Sequence, residues 1–166
     1  MNVTTVNESM VSDSNDPSGD LEIIANTNQG YDGDVTPVTA WSALQTLKNA
    51  VLVDVRTQAE WIFVGTPSLR QAGKELVTIE LQHYPDMAFN KNFGTSLQKL
   101  VTDKKSAVFF ICRSGARSRN AAIMAKQMGF DKTYNIEGGF EGDHDQNRHR
   151  GNQNGWKSMG LPWIQG

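Results

Sequence analysis

Five consecutive apolar residues, Ala107-Val108-Phe109-Phe110-Ile111, end at Cys112, the single cysteine of the chain. The run is too short for a buried helix and does not alternate, so it predicts a strand covered on both faces, as in a parallel sheet. Six residues, Cys112-Arg113-Ser114-Gly115-Ala116-Arg117, then lead into a helical pattern from Ser118 to Met128, with Ala121, Ala122, Ala125 and Met128 on one stripe and Gly129 suited to its exit. A strand, a short loop and a helix in that order place the loop at the carboxyl end of the strand. Ligands of open α/β sheets bind there.

The rest of the chain repeats this alternation. Thr36-Pro37 reads as a helix entry before Val38, Trp41, Leu44 and Leu47. Val51–Val55 reads as a strand, Gln58–Phe63 as a short helix and Gly65–Gly73 as a loop. Glu75–Leu81 has strand alternation, Phe89–Leu100 a helical pattern and Thr133–Ile136 a further strand. The expected class is α/β, a central, mostly parallel sheet flanked by helices on both faces.

The loop after the central strand carries the chemistry. A lone cysteine is ordinarily a small buried hydrophobe. Here two arginines and a glycine follow within five residues, which suits an anion-binding loop better than a core. Successive backbone N–H groups in such a loop can converge on one centre, and Gly115 permits the backbone that requires it. The helix N-terminus and the Arg113 and Arg117 guanidinium groups favour a thiolate and a bound oxyanion. Ser114 and Ser118 can donate hydroxyl hydrogen bonds; for Ser118 the competing role is capping the helix.

Three motifs in order carry a family resemblance. Val51-Leu52-Val53-Asp54-Val55-Arg56 with Glu60-Trp61 resembles the first half of a rhodanese-like domain. Cys112 to Ser118 resembles its catalytic loop, and Ile136-Glu137-Gly138-Gly139-Phe140 with Gly155-Trp156 and Gly160-Leu161-Pro162-Trp163 resembles its C-terminal part. The resemblance is to the single-domain bacterial thiosulfate sulfurtransferases. It implies a rhodanese-like fold and transfer of a sulfane sulfur from thiosulfate or a similar donor to a thiophilic acceptor, cyanide or a thiol, through a Cys112 persulfide. Substrate-binding residues implied are Arg113, Ser114, Gly115, Ala116, Arg117 and Ser118, with Arg113 and Arg117 holding the sulfonate. Arg56 is implied either at the rim, in contact with the donor, or in a structural ion pair with an acid.

Loop length separates neighbouring chemistries. Cys112 to Arg117 is Cys-x4-Arg, the sulfurtransferase size, whereas phosphatases and arsenate reductases of the fold use one residue more. A binding module that carries sulfur without turnover is the remaining rival. The expected partners are a small-molecule sulfur donor and acceptor, with a thiol-bearing protein as a further candidate acceptor. Neither a metal nor another cofactor is implied. Asp143-His144-Asp145-Gln146-Asn147 starts like a calcium loop, but Arg148 and Asn154 stand where Gly and Glu are needed.

Charge divides the chain. Residues 1–34 hold seven acids and no Lys or Arg, which leaves 11 of the 18 acids against 16 basic residues in the remainder. Residues 1–28 are expected to be a flexible acidic extension, with Leu21–Ile24 as a short edge strand, and 29–166 the domain. Scattered basic residues without interleaved aromatics do not make a nucleic-acid surface. No apolar stretch is long enough for a bilayer and residues 1–20 lack a secretory pattern, so a cytoplasmic, reducing setting is expected.

Overall fold

The structure is a computed structural model that describes residues 23, 25–28 and 30–166. Asn2-Val3-Thr4 and Asn7-Glu8-Ser9, which match the glycosylation sequon, and Leu21, Glu22 and Ile24 of the expected edge strand lie outside the described residues. In chain order the elements are β1 (Asn26–Asn28), β2 (Tyr31–Val35), α1 (Pro37–Thr46), β3 (Ala50–Asp54), α2 (Gln58–Phe63), β4 (Thr66–Pro67) and β5 (Val77–Thr78). They continue with β6 (Gln82–His83), β7 (Ala88–Phe89), α3 (Phe93–Leu100), β8 (Ala107–Ile111), α4 (Ala116–Gln127), β9 (Lys132–Ile136) and β10 (Trp163–Ile164).

Among the described residues, six strands form the main sheet in the order β1-β2-β9-β8-β3-β5. Only β1 pairs antiparallel, to β2; the pairs β2–β9, β9–β8, β8–β3 and β3–β5 are parallel. The expected α/β class therefore holds. Asn26–Asn28 falls within the segment assigned to the extension, yet it pairs in this sheet, with Asn26 opposite Asp34 and Asn28 opposite Tyr31.

Strand β8 is buried at all five positions, as its unbroken apolar run requires. Its side chains divide by parity. Val108 and Phe110 join Phe93 and Leu97 of α3 and Ala121, Ala122 and Ala125 of α4 in one core cluster. Ala107, Phe109 and Ile111 join Ala40, Ala43 and Leu44 of α1 in the other. Helices thus cover both faces. Each fully buried Phe of β8 contributes roughly 1.5–3 kcal/mol through removal from water.

Chain direction positions the site. After β3 the chain moves outward to β5; after β8 it moves the opposite way, to β9. The crevice beyond the carboxyl ends of β3 and β8 is therefore a topological switch point. Two segments leave the sheet there. One is Val55-Arg56-Thr57 into α2, with Thr57 and Glu60 making a reciprocal capping box. The other is Cys112–Gly115 into α4.

Three expectations shift. The alternation of Glu75–Leu81 yields a strand only at Val77–Thr78, because β5 has only the end of β3 to pair with. The helix expected from Phe89 starts at Phe93, since Ala88–Phe89 pairs with Gln82–His83 in a hairpin. Residues 65–73, read as a loop, contain β4, which pairs with β10, and a 3₁₀ turn at Arg70–Ala72. Among the described residues no helix is long and apolar enough to cross a membrane.

Candidate active site

Cys112 lies at the floor of a cavity of about 670 Å³ whose lining joins the two segments: Thr57, Glu60 and Phe63 after β3, and Cys112, Arg113 and Arg117 after β8. The cysteine is 1% exposed overall. Its Sγ accepts hydrogen bonds from the Gly115 N–H at 3.1 Å and from Ser118 Oγ at 3.1 Å. Gly115 has φ +114, a conformation that disfavours any side chain, and this turns its N–H back onto the sulfur.

The expected loop residues Arg113, Ser114, Ala116 and Arg117 all line the cavity with Cys112. Gly115 and Ser118 reach the sulfur from beneath. Ser118 does not cap the helix. The N-cap is Gly115, and Ser118 is fully buried with its hydroxyl between Sγ and Asn135 Oδ1, the latter at 2.6 Å. Asn135 Nδ2 donates to Asp34 Oδ1 at 2.9 Å, which fixes the amide with its oxygen toward Ser118. A hydroxyl has one proton, so Ser118 serves either the sulfur or Asn135 at a given moment. The buried β9 residue Asn135 had no sequence signal beyond its place in a strand.

The C-terminal motif supports the loop from behind. Phe140 N–H donates to Cys112 O at 2.8 Å and Glu141 N–H to Arg113 O at 2.9 Å. A Cβ on Gly139 would lie 2.5 Å from Cys112 O and 2.6 Å from the Arg113 carbonyl carbon, so only glycine admits this approach. Trp156 does not wall the cavity. It is fully buried against Trp41, and its indole N–H donates to Pro162 O. The 141–155 segment likewise touches the backbone behind the loop and contributes nothing to the cavity lining.

Arg56 and Arg117 are both held by carboxylates. Arg56 does not reach the cavity. It is fully buried, and its Nε and Nη2 hold the Asp54 carboxylate at 3.0 and 2.7 Å, with Nη2 also donating to Gly65 O at 2.7 Å. Its guanidinium carbon lies 4.3 Å from the centroid of the Phe140 ring. The ion-pair alternative is therefore the observed one.

Arg117 does line the cavity, but its fork is engaged by Glu60, Nη1 to Oε2 at 2.8 Å and Nη2 to Oε1 at 2.7 Å. Arg113, which is exposed and has no ion pair among the described residues, is the cation left for an anionic ligand. Glu60 was missed as a site residue on sequence. The local signal was the Thr-x-x-Glu of the capping box, which places its carboxylate at the start of α2; its partner, 57 residues away, leaves no local trace.

Burial alone pushes the Glu60 carboxyl up, but hydrogen bonds from Arg117, the Thr57 backbone and hydroxyl, and the Arg117 charge outweigh it and bring the carboxyl down from 4.5 to about 2. Burial lowers the Arg117 guanidinium, and Glu60, then Cys112 and Asp54, raise it above its ordinary value. A depressed carboxylate stabilises the fold above its unfolded titration and loses that contribution as pH falls through the folded one. Glu60 therefore contributes fully above pH 4.5, and its contribution drains away between 4.5 and 2. Urea midpoints from neutral pH downward should fall more steeply across this window for the wild type than for Glu60→Gln. Parallel curves would exclude the linkage.

The described residues contain no group of three or more His, Cys, Asp or Glu placed to hold a metal. What the geometry offers is a sulfur nucleophile with hydrogen-bond donors beneath it, one unpaired arginine at its side and apolar walls.

Comparison with known proteins agrees with this architecture. The family model described as STR4 middle domain matches residues 33–166. A Rickettsia prowazekii protein, "Uncharacterized protein RP600", is 40% identical over 125 residues, covering 75% of this chain and 90% of that one. The crystal structure of Rv0390 from M. tuberculosis superposes with a TM-score of 0.76 at 46% identity, over 82% of this chain and 99% of that one. More distantly, the thiosulfate sulfurtransferase GlpE of Actinobacillus pleuropneumoniae is 26% identical over 132 residues, covering 78% of this chain and 90% of that one. The chain belongs to the STR4 middle domain family and carries a rhodanese-like fold.

Proposed function

We propose that the protein is a sulfurtransferase that moves a sulfane sulfur from thiosulfate or a similar anionic donor to a thiophilic acceptor through a persulfide on Cys112. One observation carries the reading. The only sulfur nucleophile of the chain sits at the switch-point floor of a cavity, with the Gly115 N–H and the Ser118 hydroxyl aimed at its Sγ. The likeness to GlpE supports it at the level of the family.

The Cys112 thiolate attacks the outer sulfur of the donor. The donor S–S bond breaks, sulfite leaves with the electron pair, and Cys112 holds the transferred sulfur as an anionic persulfide. The acceptor then attacks that outer sulfur, and Cys112 departs as the thiolate. This is covalent, ping-pong catalysis. The loop N–H and hydroxyl face negative charge in both halves. Arg113, not the Glu60-bound Arg117, is the residue assigned to the sulfonate.

Intact mass spectrometry of the reduced protein before and after thiosulfate tests this. The expected result is a gain of one sulfur atom, mapped to the peptide containing Cys112 and discharged by cyanide. A protein that keeps a titratable thiol yet never gains the sulfur would refute the proposal.

A further inference from the structure

Loading sulfur needs only the floor of the cavity. Its walls are far larger and mostly apolar. Phe63 ends α2 and is 76% exposed; Tyr84, in the β6–β7 turn, is 67% exposed; both line the opening. Met87, in the same turn, lines it too and is held at φ +56, a region that side-chain-bearing residues rarely occupy. Large exposed apolar groups gathered around a nucleophile differ from the scattered ones of an ordinary surface. A volume of about 670 Å³ falls in the range that encloses organic ligands carrying rings. Thiosulfate and cyanide would occupy only a small part of it.

The charges in the cavity add a second constraint. Among the described residues its lining holds one carboxylate, Glu60, and neither His nor Lys. Both Glu60 oxygens are taken by the Arg117 fork, and Oε2 also accepts the Thr57 N–H and hydroxyl. Among the described residues no lining side chain is placed to remove a proton from an incoming thiol. An ordinary alkyl thiol is only a few per cent ionised at neutral pH, so most encounters with it would be unproductive.

We propose that the sulfur acceptor is a small organic thiol, already ionised at neutral pH, whose apolar, ring-sized body seats between Phe63, Tyr84 and Met87. This rests on the Cys112 persulfide reading and names the acceptor of its second half. The step balances without a proton, oxidant or reductant. A lone pair of the acceptor thiolate forms a bond to the outer persulfide sulfur, the bond from that sulfur to Cys112 breaks, and its electron pair stays on Cys112. The products are the acceptor persulfide and the Cys112 thiolate. Arg113 lies beside the approaching charge, and the Gly115 N–H and Ser118 hydroxyl receive the departing one.

The test compares acceptors in steady-state kinetics with thiosulfate as donor, expressing kcat/KM per concentration of thiolate. In free solution a less basic thiolate is the slower nucleophile towards sulfur, so an acidic aryl thiol should react more slowly than 2-mercaptoethanol. The cavity should invert that order. 4-Methylbenzenethiol is expected to exceed 2-mercaptoethanol, glutathione and a short apolar cysteine peptide by about tenfold, the scale of a well-filled apolar pocket. Phe63→Ala and Met87→Ala should each lower the ratio of kcat/KM for the aryl thiol to that for cyanide by about tenfold. Solution order, faster turnover of the peptide, or ratios within about twofold of the wild type would overturn the assignment. Intact mass keeps the two readings apart. A protein that loads sulfur but discharges it in solution order loses only this acceptor, whereas one that never loads sulfur loses the persulfide reading together with it.

Discussion

Cys112→Ser is expected to lower kcat/KM for thiosulfate by about 10³-fold or more, the scale on which removal of a nucleophile acts, and to abolish the mass gain. The smaller oxygen fits the space of the buried sulfur and can accept the same Gly115 and Ser118 hydrogen bonds, so a structural collapse would not explain the loss. The chemistry would. Sulfur is intrinsically the stronger nucleophile, whereas a serine hydroxyl needs an adjacent base. Glu60, the one carboxylate among the described lining residues, is held at about 2 by its Arg117 and Thr57 hydrogen bonds against the upward push of burial, and so has almost no affinity for that proton. Steady-state assays with thermal melts of both proteins check this. A variant that melts like the wild type and still turns over would remove Cys112 from the mechanism.

That cavity also shows how far the sequence could be followed. The strand, loop and helix around Cys112 were legible because each is local. Five apolar residues, a six-residue turn with a glycine, and a small-residue stripe occupy one continuous stretch, and the fold keeps them in register. Helix α2 was equally legible, since its capping box lies within four residues. What could not be read were pairings across the chain. Arg117 looked like a free anion ligand because Glu60 is 57 positions earlier. Ser118 could be read as a donor to the sulfur or as a cap, because Asn135, the second partner of its hydroxyl, lies 17 positions later on another strand. The apolar lip formed by Tyr84 and Met87 depends on the β6–β7 hairpin, two residues per strand, too short to leave a periodic pattern. In each case the residue type was legible on its own, and its partner across the chain was not.

Asp54→Ala is expected to cost about 3–5 kcal/mol, the range for removing one member of a buried ion pair. Asp54 and Arg56 are both fully buried. Besides the guanidinium, Asp54 Oδ1 accepts the Arg56 backbone N–H at 3.1 Å, so the carboxylate also fixes the turn that leaves β3. Without it the guanidinium would keep the Gly65 carbonyl and the face of Phe140 as partners, too little for a buried charge. In a chain of this length the loss corresponds to a fall in Tm of about 6–20 °C. The effect should reach the site as well. Val55 N–H donates to Ile111 O directly before Cys112, and Arg56 leads into the Thr57 cap that holds Glu60 against Arg117. Replacing both partners, Asp54→Ala with Arg56→Met, removes the orphaned charge and should recover part of the lost stability. Thermal melts of the single and double variants would decide. A double variant less stable than Asp54→Ala would mean that Arg56 is held chiefly by Gly65 and Phe140, and that the carboxylate serves the turn more than the charge.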